Sequence, residues 1–260
     1  MNKQAFVDPE VVENYQFRPD YPSELYPLLT QLAPGHQHLL DLGCGTGKIA
    51  RGLSGGFARI SAVDASSAML KIAETLGAGS ANNIDWIHGS AETADIPGGP
   101  IDFVVAAESI HWMEHAIVFP RLSAQLSNQH RLAVVEGDGA HEPPWQSQWH
   151  DFLREWVPRL TGEPYAPGDS ASPFAVRMSK HKQWVRFEGQ AAIDGRVDQL
   201  VEDFILCQHS RATFAPSRLG VNLPRFDAQL REILQPYATN NRLSYQMRTH
   251  VEWGRIQPAR

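Results

Sequence analysis

Asp41, Gly43, Gly45, Gly47 and Asp64 have types and spacing suited to chemistry, because they set bare backbone and two acids at turns that follow apolar runs. The stretch Leu40-Asp41-Leu42-Gly43-Cys44-Gly45-Thr46-Gly47-Lys48 follows His38-Leu39-Leu40, a short buried-strand pattern, and precedes Ile49, Ala50 and Leu53, which recur at helical spacing. Glycine at such a strand-to-helix corner lets ligand and backbone approach closely, as in nucleotide-binding α/β folds. A dinucleotide fingerprint reads G-x-G-x-x-G and seats a pyrophosphate on the helix N-terminus. Here the third fingerprint position holds no glycine, and Asp41 stands two residues before the first. A carboxylate there repels pyrophosphate and suits a cationic group such as an α-ammonium. The expected ligand is an amino-acid-bearing nucleoside, and a nicotinamide-dependent oxidoreductase is disfavoured.

Asp-x-Gly-x-Gly-x-Gly resembles motif I of the class I S-adenosylmethionine-dependent methyltransferases. Arg59-Ile60-Ser61-Ala62-Val63-Asp64 reads as a second strand ending in an acid, about 20 residues after the loop as nucleoside sites of this kind require. Asp64 is thus placed to accept both ribose hydroxyls. Ser66 is the expected N-cap of the next helix, with Met69, Ile72, Ala73 and Leu76 as its apolar face. Val-Asp-Ala-Ser-x-x-Met-Leu is similar to the family's second motif, which implies that Met69 packs on adenine; a helical Met also serves as core. The segment Asn83–Glu92 reads as a third strand and turn, and resembles the family's adenine-binding Gly-Asp-Ala-Glu with Ser90 in place of the aspartate. That replacement shifts the adenine contact toward Ala91 and Glu92. The resemblance makes Asp41, Gly43, Cys44, Gly45, Gly47, Asp64, Met69, Ser90, Ala91, Glu92 and Ala106 the cofactor-binding set.

Upstream, Tyr15-Gln16-Phe17-Arg18-Pro19-Asp20-Tyr21-Pro22 leads into an apolar helical segment around Leu25, Leu28, Leu29 and Leu32. It is similar to a stretch found in many small-molecule methyltransferases, which implies that Tyr15 and Arg18 cover the methionine end of the cofactor. Arg18 would offer forked donors to its carboxylate. The bland reading makes both residues part of an exposed terminus.

Ile101–Ala107 reads as a fourth strand, apolar throughout as a parallel strand covered on both faces should be, and Arg131–Glu136 as a fifth. Alternating strands and helices predict a Rossmann-like, doubly wound α/β fold. The resemblance adds a mostly parallel seven-stranded sheet whose last strand is antiparallel. The expected organisation is an N-terminal lid and helix over 1–35, a cofactor-binding core over 36–137, a cap insertion lining the acceptor site over 138–182, and strands and helices completing the sheet over 183–260. In that last region 183–189 and 243–253 read as strands, and 197–210 and 226–236 as helices. The cap carries Trp145, Trp149, Phe152, Leu153 and Trp156 along one helical face. This stripe either packs the cap or supplies rings to an acceptor pocket, for which Trp112, His141, Trp145 and Trp149 are the candidates.

A methyl group on sulfonium is already electrophilic, so the protein's task is to bind, align and exclude water, with a base only for a protonated acceptor. His111, just past the fourth strand, is the candidate for that base or for orienting the acceptor, and otherwise a structural histidine beside Trp112. Glu108, His115, Asp138 and His141 are weaker candidates. His111-Trp112-Met113-Glu114-His115 also spells the inverted zinc-peptidase motif H-x-x-E-H, which gives a zinc hydrolase as a rival. A non-catalytic S-adenosylmethionine-binding protein is the other alternative.

The chain has 260 residues, 42% hydrophobic, enough for one α/β domain with a subdomain. Its net charge of −6 and lack of a basic run disfavour nucleic acid or an anionic membrane as partner. Two cysteines, Cys44 and Cys207, are too few for a disulfide framework. No leader is expected before Phe6, and no apolar stretch reaches the roughly 20 residues of a membrane helix. The expectation is a cytoplasmic enzyme of small-molecule metabolism, without a resident metal, that turns S-adenosyl-L-methionine into S-adenosyl-L-homocysteine while methylating a carboxylate, phenol or heterocycle.

Overall fold

The computed structural model describes residues 8–79 and 82–257. Helices α1 (Pro9–Asn14) and α2 (Leu25–Leu32) precede strand β1 (His38–Leu42), α3 (Lys48–Leu53), β2 (Arg59–Asp64), α4 (Ser67–Gly77), β3 (Ile84–His88) and β4 (Ile101–Ala107). Then come α5 (His115–Ser123), β5 (Leu126–Glu136), β6 (Ala140–His141), α6 (Gln146–Thr161) and α7 (Pro173–Ser179). Strand β7 (Val185–Leu200), α8 (Val201–His209), α9 (Pro216–Leu219), α10 (Leu223–Leu234) and β8 (Arg242–Ile256) complete the chain.

The residues divide into two compact units. One comprises 21–137, 176–193 and 249–260 and contains strands in the order β3-β2-β1-β4-β5-β8. Pairings among β1 to β5 are parallel, and β8 runs antiparallel to β5, with Leu132 opposite Gly254 and Glu136 opposite His250. The chain therefore has the doubly wound, mostly parallel sheet that its alternating pattern predicts. Successive side chains leave a strand on opposite faces, so each apolar strand feeds two cores. Leu39, Phe103, Val105 and Ala133 pack with Leu25 and Leu29 of α2 and with Ile49 and Leu53 of α3. Leu40, Leu42, Val104 and Val134 pack with Val118, Phe119 and Leu122 of α5. The strand order reverses between β1 and β4, and carboxyl ends at such a switch point are where α/β folds bind ligands.

The other unit comprises 1–20, 138–175 and 194–248. Its core gathers Trp145, Phe152, Leu153 and Trp156 with Val201, Phe204, Phe226, Leu230 and Tyr245. The aromatic stripe is thus a helix face, and four of its five residues are buried in that core. The short β6, which pairs with Met247 and Gln246 of β8, is an eighth strand beyond the seven expected.

One boundary differs from the sequence pattern. A strand was expected over 183–189 and a helix from 197, whereas β7 runs to Leu200 and α8 starts at Val201. From Arg186 to Asp198 even-numbered residues are exposed while most odd-numbered ones are half-buried, the period of a strand with one solvated face. Glycines and alanines between the charges mute that alternation in the sequence. Gly189 is required by packing, since a Cβ there would lie 2.5 Å from the Trp253 ring. Among the described residues β7 pairs with β8 and with no other strand.

Candidate functional site

The loop after β1 is built on left-handed backbone, with φ of +77°, +53° and +77° at Gly43, Gly45 and Gly47, a region side chains rarely adopt. Close packing enforces two of these glycines. A Cβ on Gly43 would lie 2.5 Å from that of Ser109, and one on Gly47 2.4 Å from the Trp86 ring. The N–H groups of Gly43 and Cys44 donate to the Val63 carbonyl at 2.8 and 3.0 Å, which ties the loop to the end of β2.

Two acids, Asp41 buried and Asp64 half-buried, organise this corner. Asp64 accepts from the Gly45 N–H at 2.7 Å and from the Ser66 N–H at 2.8 Å, so one carboxylate joins the glycine loop to the turn before α4. Ser66 caps α4 by accepting from the Met69 N–H, as its spacing predicts. Asp41 is 1% exposed; its Oδ2 accepts from the Ala50 N–H at 3.0 Å and satisfies a donor in the first turn of α3. Its Oδ1 is buried with no hydrogen-bond partner. Burial, reinforced by the nearby Asp64 charge, pushes Asp41 up to about 7. Burial likewise raises Asp64 above the ordinary carboxylate range, against the hydrogen bonds from Ser66 and Gly45. Two acids at adjacent strand ends, with the charge of Asp64 disfavouring that of Asp41, favour a cationic ligand group and oppose a pyrophosphate. The Cys44 thiol is pushed well up by burial and both acids, which suits a packed loop residue rather than a nucleophile.

The remaining positions of this unit follow the same carboxyl edge. Ala106 and Met69 are fully buried. Gly89 N–H donates to the Asp64 carbonyl, and the turn Ser90-Ala91-Glu92 is pinned by Arg121, whose guanidinium donates to the carbonyls of Ala91 and Ala94. The Glu92 carboxylate accepts from the Glu114 N–H at 2.9 Å. After β4, Glu108 takes a φ of +52°, a strained conformation for a residue with a side chain, and its carboxylate accepts from the Gly137 N–H. The Ser109 hydroxyl donates to the Leu42 carbonyl at 2.6 Å. His111 follows in a 3₁₀ turn with its ring 5.3 Å from that of Trp112. His115 starts α5, is buried, and has Nε2 2.8 Å from the Ile110 carbonyl oxygen. The two histidines of H-x-x-E-H therefore do not sit within one helix, the arrangement that motif needs for zinc. Among the described residues no group of three or more His, Cys, Asp or Glu has metal-binding geometry.

In the other unit the Tyr15 ring covers Arg18, 4.5 Å from its guanidinium carbon. Arg18 donates to the Ser210 hydroxyl at 2.7 Å, the Ser210 carbonyl at 2.9 Å and Asp138 at 2.9 Å, and Arg211 donates to the same aspartate. His141 borders a cavity of about 390 Å³ with Tyr245, Arg196 and Arg248. Trp145 is 1% exposed and meets Phe204 and Tyr245 edge-on, while Trp149 stacks on Phe152 at 5.4 Å.

The structure thus brings Asp41, the glycine loop, Asp64 and the Ser90 turn together by hydrogen bonds, and in the other unit groups Tyr15 with Arg18. Ser109, Trp86 and Arg121 were not legible as site residues. Ser109 carried the only usable signal, a hydroxyl directly after a strand at the switch point; Trp86 and Arg121 act through packing and chain reversal that spacing does not encode.

Residues 39–137 match the family model described as a methyltransferase domain. The chain is 32% identical over 146 residues to a trans-aconitate 2-methyltransferase of Klebsiella pneumoniae, covering 52% of each chain. With an uncharacterized methyltransferase of Mycobacterium bovis it shares 31% identity over 179 residues, covering 68% of this chain and 69% of that one. The chain belongs to the class I S-adenosylmethionine-dependent methyltransferases. The structure of a putative type II methyltransferase from Anaeromyxobacter dehalogenans shares its fold, with a TM-score of 0.69 at 20% identity over 93% of this chain and 99% of the other. The chain spans about half the length of the first curated relatives it matches, 52%, 41% and 55% of them. The family's cofactor is S-adenosylmethionine. Among the described residues no helix is long and apolar enough to cross a membrane.

Proposed function

We propose that the protein moves a methyl group from S-adenosylmethionine to an oxygen or nitrogen atom of a small molecule by in-line displacement. The observation that carries this reading is the pair of acids, buried Asp41 and half-buried Asp64, both raised above the ordinary carboxylate range, around a glycine loop in left-handed conformation. When bound, the cofactor supplies an electrophilic sulfonium methyl.

The chain's own residues then bind and orient. Asp64 holds Gly45 and Ser66 with one lone pair on each oxygen, and a carboxylate oxygen has a second to offer a ribose hydroxyl. The unpartnered Oδ1 of Asp41 suits an ammonium, which would lower the cost of its buried charge. Met69 with Ser90, Ala91 and Glu92 forms the adenine side, and Ala106 floors the site. Tyr15 and Arg18 are the proposed partners of the cofactor carboxylate, to which an arginine offers forked donors. Trp112, His141 and Trp149 are the proposed acceptor residues, for a carboxylate, phenol or heterocycle, while Trp145, 1% exposed between Phe204 and Tyr245, packs the core instead. The similarity to a trans-aconitate 2-methyltransferase supports testing small carboxylates first among these.

His111 is the proposed group that orients or deprotonates the acceptor. The test is production of S-adenosylhomocysteine across a panel of small carboxylates, phenols and heterocyclic amines, with wild type and His111→Ala. Turnover with one class is expected, falling about tenfold or more in the variant with S-adenosylhomocysteine affinity kept. Full activity in the variant returns His111 to packing beside Trp112. Cofactor binding with no transfer to any acceptor favours a non-catalytic binding protein.

A further inference from the structure

His115 is a buried polar ring at the first residue of α5, a place where an apolar side chain would pack without a polar atom to satisfy. Its Nε2 lies 2.8 Å from the carbonyl oxygen of Ile110, and a carbonyl only accepts, so Nε2 carries the proton and donates. Ile110 opens the 3₁₀ turn Ile110–Trp112 that carries His111, and its carbonyl also accepts from the Met113 N–H at 3.3 Å. We propose that His115 is a positioning residue of the methyl transfer, a fixed donor that sets the turn presenting His111 and Trp112 to the acceptor. The inference rests on the role proposed above for His111.

Three observations carry it, all within the glycine-loop unit. The ring is held against its carbonyl: it is 5% exposed, with the Phe119 ring at 5.4 Å and the His181 ring edge-on at 6.4 Å. His181 is itself fixed, 3% exposed in the 3₁₀ turn Lys180–Trp184, which packs against both α5 and the His111 turn. Its Nε2 is 4.0 Å from Glu252, whose carboxylate accepts from Lys182 Nζ at 2.8 Å, and burial pushes His181 down to about 4, so near neutral pH it backs His115 as an uncharged ring. The third observation is where the bond falls. Ser109 is tied to the Leu42 carbonyl on one side and the Glu114 N–H to Glu92 on the other, so the His115 bond fixes the residue between these anchors, directly before His111. A reacting group misplaced by about 1 Å can cost on the order of 100-fold in rate, which makes the conformation of that turn a lever on turnover.

Wild type, His115→Phe and His115→Gln test this, with thermal melting and S-adenosylhomocysteine affinity as fold controls. Phenylalanine keeps the ring and removes the donor; glutamine keeps an amide donor at nearly the reach of Nε2. His115→Phe is expected to lower kcat about tenfold or more while acceptor KM and S-adenosylhomocysteine affinity stay within about twofold, and His115→Gln to recover most of that loss. The carbon-13 NMR signal of the His111 ring, assigned by its loss in His111→Ala, should move in His115→Phe and return toward its wild-type position in His115→Gln. That second readout needs no acceptor. Wild-type kcat in His115→Phe, an unmoved His111 signal, or a loss that glutamine fails to restore in folded protein would overturn the proposal. Absence of methyl transfer in wild type would instead overturn the functional reading, and the NMR comparison would still decide whether His115 sets the His111 turn.

Discussion

The glycine-loop unit and the aromatic unit of this chain use burial in opposite ways. Around β1 and β2 the groups taken out of water are polar: buried Asp41 and half-buried Asp64 are enclosed at a cost, their carboxyls raised, with one oxygen of Asp41 unpartnered. Around α6 and α10 the buried groups are rings, Trp156 contacting Phe226 edge-on at 5.2 Å with its indole N–H donated to Gln229 at 2.9 Å. The first arrangement sacrifices stability for a prepared ligand environment; the second supplies stability. Removing a ring and removing an acid should therefore have opposite signatures.

The largest expected effect is on stability. Trp156→Ala removes a fully buried ring from the aromatic core and should lower unfolding free energy by about 3–5 kcal/mol, read by thermal or urea denaturation, with S-adenosylhomocysteine affinity kept in the folded protein. An affinity loss exceeding the stability loss would erase the contrast. Asp64→Ala is expected to behave in reverse. Cofactor-product affinity should weaken by about 1.5–3 kcal/mol through loss of charge-assisted hydrogen bonds, measured by calorimetry, and an unchanged constant would remove Asp64 from the ribose.

The smallest effect is a slope. Asp41 titrates near 3.8 when unfolded and at about 7 when folded, so between those values the folded chain holds a proton that the unfolded chain releases. Its contribution to stability is complete below about 4 and is lost as pH rises through about 7. Asp41→Asn should flatten that decline, by on the order of 1–2 kcal/mol across the window in urea titrations at several pH values. Saturating S-adenosylhomocysteine should flatten it in wild type too, since an ammonium beside the carboxylate favours its charged form. An identical slope in wild type and variant would detach Asp41 from the pH response.

The same contrast governs what could be read from the sequence. Strands β1, β2, β4 and the end of β5 are apolar runs buried on both faces, so their positions follow from composition, whereas β3 is a half-exposed edge strand read from its flanking turns. The glycine loop, Asp64 and the Ser66 cap announce themselves by residue type at fixed offsets. The bonds from Asp64 to Gly45 and Ser66 did not, because they depend on how two loops meet once the strands pair. Arg18 reads as a lone cation in a proline-rich segment, yet its partners Asp138 and Ser210 are 120 and 192 residues away. The aromatic stripe was legible as a helix face but not as core or pocket wall, since both uses demand the same periodicity. The full length of strand β7 is not legible in the sequence because its glycines and alanines dilute the alternation that its exposure pattern makes plain.

The central claim is that the left-handed loop and its two acids hold an amino-acid-bearing nucleoside. Calorimetry of one wild-type preparation against S-adenosylhomocysteine, S-adenosylmethionine and NAD tests it most directly. The account expects one-to-one binding of the first two and none of the third. Preferential binding of NAD, or no binding of S-adenosylhomocysteine by folded protein, would contradict it.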